Sequence, residues 1–257
     1  MNLHLPRRRK LLVAKALALP AAVLILSGTL LSGTQSGFSD ATDNTDNVLA
    51  AAATFTKVEL ANGWTTGLTH TAGSGSGRLL IFVAGRDGPD RDLTSVTYGG
   101  QVMTQANNSV ICNGGCARNE FWYLDEAGLQ AASGDGFAVT PGNFGGLYAA
   151  VTLRNVDQIT PIGDTSSNGT TTQATVQIAS ALNVTYGDMV VVGATSGTTG
   201  NYTPDAAYTE GTDDTAGSRT VANAYLSITA VGTEQPSTTF NGTISRHTIT
   251  GTVINHA

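Results

Sequence analysis

Apolar residues in this chain come in short runs, some continuous and some alternating, with Gly, Asn, Asp and Pro between them. The segments 78–85 (RLLIFVAG) and 188–195 (DMVVVGAT) are apolar at consecutive positions, which predicts strands covered on both faces. The segment 221–231 (VANAYLSITAV) alternates, with Ala222, Ala224, Leu226 and Ile228 on one side, and predicts one buried and one wet face. Further strands are expected at 54–60, 94–98, 101–105, 118–124, 136–140, 147–154, 173–179, 237–241 and 246–255. Trp122 and Tyr123 are adjacent and point to opposite faces, one to the core and one to the surface. Tyr98-Gly99-Gly100-Gln101 carries the two glycines of a tight hairpin, whose turn takes positive φ values. One short helix is expected over 125–132 (DEAGLQAA), with Asp125 as N-cap and Glu126 in the first turn. The stretch 165–172 (TSSNGTTT) reads as a loop, and no repeat recurs at a fixed period. Many short strands parted by turn signals predict an all-β sandwich or barrel.

The beginning of the chain follows other rules. Residues 1–15 are basic, 16–26 (ALALPAAVLIL) are an apolar run, and small residues follow. This is the layout of a secretory signal. A membrane-spanning helix wants about 20 apolar residues, and this run is shorter and holds Pro20. No cysteine follows the run, so a lipoprotein anchor is not expected. The division expected is a signal over 1–37, an extension over 38–53 and a sandwich over 54–257. From Phe38 onward eight basic residues face 19 acidic ones, a net −11, which leaves no basic patch for nucleic acid. The composition, with 38 Thr and 31 Gly and only 12% charged residues, suits strands and turns in an exported, soluble protein.

Two stretches carry resemblances. Gly33 to Asp40 (GTQSGFSD), followed by ATDNTDNVLAAA, resembles the signal-peptide exit of the TasA and camelysin family of secreted biofilm-fibre subunits. Phe38-Ser39-Asp40 and Asn47 match that pattern, while Gly37 stands where the family has an aromatic. The run LTSVTYGGQVMTQ, then EFWYLDEAGL, VTLRNVDQITPIGDTSS and YGDMVVVGA, resembles a β-sandwich domain of secreted and surface proteins of bacteria. That second resemblance spans roughly residues 75–257. It implies a jelly-roll-like antiparallel β-sandwich and an extracellular or cell-surface location, and it brings no catalytic residues.

Candidate chemistry is sparse. His70, His247 and His256 have no His or Cys at metal-ligand spacing and read as surface or hydrogen-bonded histidines. GSGSG at 73–77 lacks the spacing of a nucleophile elbow and reads as a flexible loop before a core strand. Asp40, Asp43 and Asp46, then Asp87, Asp90 and Asp92, then Asp213 and Asp214 form three acidic clusters. They read as solvated turns; calcium, with about six to eight oxygen ligands, is the cation such loops would suit. No other cofactor is expected. Cys112 and Cys116, in CNGGC, are the only cysteines and are expected to pair as a disulfide that pins a loop, with a thiol or redox pair as the alternative.

Function is expected to be non-enzymatic. The first reading is a structural subunit that polymerises head-to-tail with copies of itself outside the cell, as a pilus or biofilm-matrix fibre. The segment 47–56 (NVLAAAATFT) carries it. Val48, Ala50 and Ala52 lie on one side of an extended strand, and Leu49, Ala51, Ala53 and Phe55 on the other. A strand apolar on both sides suits insertion into a neighbouring sandwich, the donor-strand mode. The bland alternatives are packing in its own sandwich or a short Ala-rich helix. The second reading is a monomeric module that binds a glycan or a surface partner. Neither reading involves nucleic acid, or insertion in a membrane once the signal is removed.

Overall fold

The two most apolar runs become the centres of two sheets. In a computed structural model, which describes residues 56–142 and 145–257, the chain builds the same arrangement twice. The first half holds β1 (Glu59–Thr66), β2 (Leu79–Gly88), β3 (Ser95–Tyr98), β4 (Gln101–Val102), β5 (Thr104–Cys112) and β6 (Cys116–Leu124). It continues through helix α1 (Glu126–Ala131), β7 (Phe137–Thr140) and β8 (Leu147–Arg154). Five of these strands form a main antiparallel sheet in the order β1-β8-β2-β6-β5, and β4-β3-β7 form a small sheet beside it.

The second half holds β9 (Ile162–Thr170), β10 (Thr175–Gln177), β11 (Leu182–Val184), β12 (Met189–Ser196) and β13 (Tyr202–Pro204). Then come β14 (Thr209–Ala216), β15 (Arg219–Ser227), β16 (Gly232–Glu234), β17 (Ser237–Phe240) and β18 (His247–Ile254). Its main sheet runs β14-β15-β12-β18-β9, with β10-β17-β13 and β11-β16 as small sheets. Counted within its own half, each main sheet has its strands in the order first, fifth, second, fourth, third. In each half the chain also leaves the main sheet for the small sheet between its second and third strands, and again between its fourth and fifth. That alternation is a jelly-roll-like wrap, made twice. The register agrees: Gly85 lies opposite Asn119 and Leu147, and Gly193 lies opposite Asn223 and Thr250.

Three cores follow from this layering. Leu79, Ile81, Val83, Phe121, Val151 and Leu153 of the first main sheet meet Met189, Val191 and Ile254 of the second. On its other face the first sheet packs Leu80, Phe82 and Trp122 on Val96, Tyr98, Leu129 and Phe137. The second packs Val190, Val192, Ile249 and Val253 on Val176, Ile178, Leu182 and Ile228. Consecutive residues of β2 and β12 thus feed different cores, and all eight residues of β12 are buried. Each such large apolar side chain contributes about 1.5–3 kcal/mol relative to exposure.

The all-β antiparallel sandwich with one short helix is as the sequence predicts. Asp125 caps α1 by accepting from the Gly128 N–H at 2.8 Å. Gly99 and Gly100 make the β3–β4 turn at φ 52 and 84.

Several local expectations are corrected. The stretch 165–172 is not a loop; up to Thr170 it belongs to β9, an edge strand paired with β18. Asp213 and Asp214 sit on another edge strand, β14. Edge strands need satisfy only one neighbour and one covered face, so neither has to be apolar. The segment 101–105 breaks at Met103, whose side chain is buried and whose N–H bonds Val96 O. The alternating 221–231 segment is strand only to Ser227 and is buried on both faces, because its outer side is roofed by the small sheets. Tyr123 is half-buried against the middle core, so neither it nor Trp122 is a surface aromatic. Pairing in the first strand starts at Glu59; residues 54 and 55 lie outside the described residues.

Close approach of the two main sheets rests on glycine. A Cβ on Gly85 would meet Val221 at 2.2 Å, and one on Gly193 would meet Phe121 at 2.5 Å. Gly193→Val is expected to lower unfolding free energy by about 1–3 kcal/mol or more through overpacking. Gly63→Ala, where nothing lies within 4 Å of the added carbon, should stay within about 0.5 kcal/mol of wild type. Denaturant melts of the two variants check the contrast; equal costs would disprove it.

Candidate functional site

Charged residues are few in this chain, and many of them gather where β2 ends, where β5 turns into β6, and just before β18 begins. Asp87, at the end of β2, has a side chain only 7% exposed. Arg246 clasps it with both ends of its guanidinium, Nε to Oδ1 at 2.6 Å and Nη2 to Oδ2 at 2.8 Å. Its Nη1 donates to Asn113 O at the hairpin tip, at 3.3 Å. This one side chain therefore joins the first main sheet, the second main sheet and the β5–β6 turn. Gly197 and Gly115 leave it room, since a Cβ at either would lie within 3.0 Å of the pair.

The hairpin carries the two cysteines. Cys112 and Cys116 lie directly opposite in the ladder, and their Sγ atoms are 2.07 Å apart, at bonding distance. Cys112 is exposed and Cys116 buried. Two residues further along β6, Arg118 reaches Asp90 at 2.5 Å and Asp92 at 2.6 Å. Arg118 also faces Arg86 directly across the β2–β6 ladder. Like charges so placed repel, and Asp90 and Asp92 offset part of that repulsion. The Asp90 carboxylate and both sulfurs lie within 4.8 Å of one another.

Beneath this loop lies Glu120, fully buried. It accepts from the Leu93 N–H at 3.0 Å, from Trp122 Nε1 at 3.1 Å and from Gln105 Nε2 at 3.2 Å. Burial raises its pKa above the ordinary carboxylate value, and the Leu93 and Trp122 donors together with Arg118 oppose that rise. Glu120 thus ties the 89–93 loop to the outer face of the sheet. Its signal in the sequence is a carboxylate directly before the aromatic run Phe121-Trp122-Tyr123 of a predicted strand.

The histidines are spread apart. His70 is buried between Thr65 Oγ1 at 2.8 Å and Thr152 Oγ1 at 2.9 Å, and burial lowers its pKa. His247 Nε2 contacts Gln173 O. His256 Nδ1 bonds Asp188 at 2.8 Å. The hydroxyl-bonded histidine and the carboxylate-bonded one are thus in different places, and no relay joins them. Of the acidic clusters, the 87–92 loop is matched to Arg118 and Arg246, and Asp213 accepts from the Tyr202 N–H at 2.8 Å. Asp40, Asp43 and Asp46, and the strand residues Val48, Leu49, Ala51, Ala53 and Phe55, lie outside the described residues. No described helix is long and apolar enough to cross a membrane.

No family model, curated protein or solved structure matches the chain.

Asp87→Ala is expected to cost about 3 kcal/mol, because it strands a largely buried guanidinium. The double variant Asp87→Leu with Arg246→Met should recover most of that loss. Additive losses in denaturant melts would show that the clasp is not one unit. For Glu120 the sign follows from its raised pKa. The stability it contributes is present below the unfolded value of 4.5 and is lost as pH rises through its folded pKa. Relative to wild type, Glu120→Gln should therefore gain stability as pH climbs from 4.5 toward neutrality. A flat difference across that range would contradict the assignment.

Proposed function

We propose that the chain is an exported structural subunit that assembles with copies of itself outside the cell into a filament, and that it has no catalytic role. The observation that carries this reading is the completeness of the body. Both main sheets run unbroken from edge to edge, and the described cores are filled from Val58 onward. An apolar segment such as 47–55 then has an edge to join, and no internal gap to fill.

The edges differ in what they offer. β5 and β9 are closed on each other by Asn107 Nδ2 to Ser166 O at 3.2 Å and Ser109 Oγ to Asn168 O at 2.9 Å. β1 is flanked by residues 69–73, through Asn62 Nδ2 to Thr71 O at 2.6 Å and the close approach of Gly73 to Ala61. Among the described residues the β14 backbone has no hydrogen-bonding partner beyond β15, so β14 is the edge where a donated strand fits best. Glu210 and Asp214 guard it against indiscriminate pairing, and 47–55 is uncharged.

The rival reading, a glycan-binding module, calls for exposed aromatic rings. Among the described residues Tyr186 is the one large aromatic on the exposed side, at 39%. Trp122, Tyr98, Tyr202 and Tyr208 are all buried in cores.

Microscopy of the exported, processed protein tests the proposal. Filaments are expected from wild type, and folded, dispersed particles from a variant lacking residues 38–50. Asp at both Val48 and Leu49 should act nearly as the deletion does, since Glu210 and Asp214 on the β14 edge would repel an acidic strand. A wild type that stays monomeric at every concentration and pH, or a deletion variant that still polymerises, would overturn the reading.

A further inference from the structure

We propose that in its dithiol form the β5–β6 hairpin, together with Asp90, is a zinc site. The inference stands apart from the filament reading. It begins with the donor atoms: two sulfurs and a carboxylate oxygen, all within 4.8 Å, supplied by two different loops. Two thiolates and one carboxylate are a donor set for zinc, with Zn–S near about 2.3 Å and Zn–O near about 2.0–2.2 Å. A hard cation such as calcium would want oxygen throughout. Tetrahedral geometry asks the two sulfurs to part to about 3.8 Å, a rotamer change for an opposed cross-strand pair.

The surroundings are built for such a site. Asp90 is already oriented by Arg118, whose side chain is 7% exposed, and a guanidinium hydrogen-bonded behind a ligating carboxylate is a usual second support. The hairpin tip is held by Arg246 at Asn113 O, which anchors the backbone next to Cys112. Charge also closes. Two thiolates, one carboxylate and Zn2+ sum to one negative charge, and Arg118 supplies the compensating positive charge beside them. Three protein ligands leave a fourth position for water.

The chemistry balances simply. A dithiol reductant passes two electrons and two protons to the Cys112–Cys116 bond and is itself oxidised to a disulfide. Zn2+ then displaces two thiol protons to the solvent as the two Zn–S bonds form. The oxidised hairpin holds no metal, so zinc and the disulfide compete for one pair of sulfurs, and the thiol–disulfide poise around the chain decides between them.

The test uses the full exported chain, reduced with dithiothreitol and desalted under argon. Zn2+ uptake is read by competition with a chromophoric chelator, and Cd2+ uptake by thiolate-to-metal absorption. One ion per reduced chain is expected, and none per oxidised chain. Asp90→Asn should weaken binding by at least about tenfold. Asp92→Asn removes the same charge from the same guanidinium but no ligand, and should bind nearly as wild type does. Both carboxylates are about 60% exposed, so neither change should unfold the protein, and circular dichroism checks this. Absence of stoichiometric uptake by the reduced wild type overturns the proposal. So does undiminished binding by Asp90→Asn, or an equal loss in the two Asp variants.

Discussion

Two strands without a wet face determine this molecule. β2 and β12 are apolar at successive positions, so each needs cover on both sides. A single sandwich gives a sheet cover on one side only. The chain solves this twice in the same way, wrapping a small sheet over the outer face of each main sheet and pressing the inner faces together. Gly85 and Gly193, at matching places in the two central strands, let the backbones approach where a side chain would collide with Val221 or Phe121. Four layers and three cores are the result. The long polar edges are tolerable because the centre is buried so thoroughly.

The same economy governs charge. Strands buried on both faces leave little interior for ions, and the chain carries few. The charges that do go inside are used as fasteners. Arg246 and Asp87 bind the two main sheets to each other at one end, and Glu120 gathers three donors to hold a loop. At the opposite end Arg78 holds Glu126 in a bidentate pair, and that hydrogen bonding draws the Glu126 pKa down to about 2. Each is a polar contact with its partners supplied, which is the condition for burying it at all.

Legibility in the sequence followed hydrophobicity. The central strands, the Gly99-Gly100 turn and the Asp125 cap were all visible, because burial, positive φ and N-capping each select particular residues. The edge strands β9 and β14 were not, since TSSNGTTT and TEGTDDTA look the same as loops when only one neighbour supplies the ladder. The duplication was hidden for a related reason. Its two halves share a topology and a few matched positions, Gly85 with Gly193, Asn119 with Asn223 and Phe121 with Tyr225, but no spacing that a periodic search would catch. The pairing of Cys112 with Cys116 was the expectation from CNGGC in an exported chain, and their sulfurs stand at bonding distance. The setting of the pair was not legible, because Asp90, Arg118 and Arg246 come to it from separate parts of the chain, and only the fold brings them together.

A complete body changes what self-assembly asks of the chain. Where a sandwich lacks a strand, the donor supplies core, and a subunit without its donor is unstable. Here the described strands already close their own cores, so on the proposed reading the donated segment adds a backbone ladder and a few apolar anchors at an edge. That makes the joint weaker per subunit and the subunit sturdier between joints. The guard residues on β14 then have a purpose: an edge open to any passing strand would aggregate, while one lined by Glu210 and Asp214 rejects acidic strands and favours a neutral one. Specificity in such a joint comes from what the edge refuses.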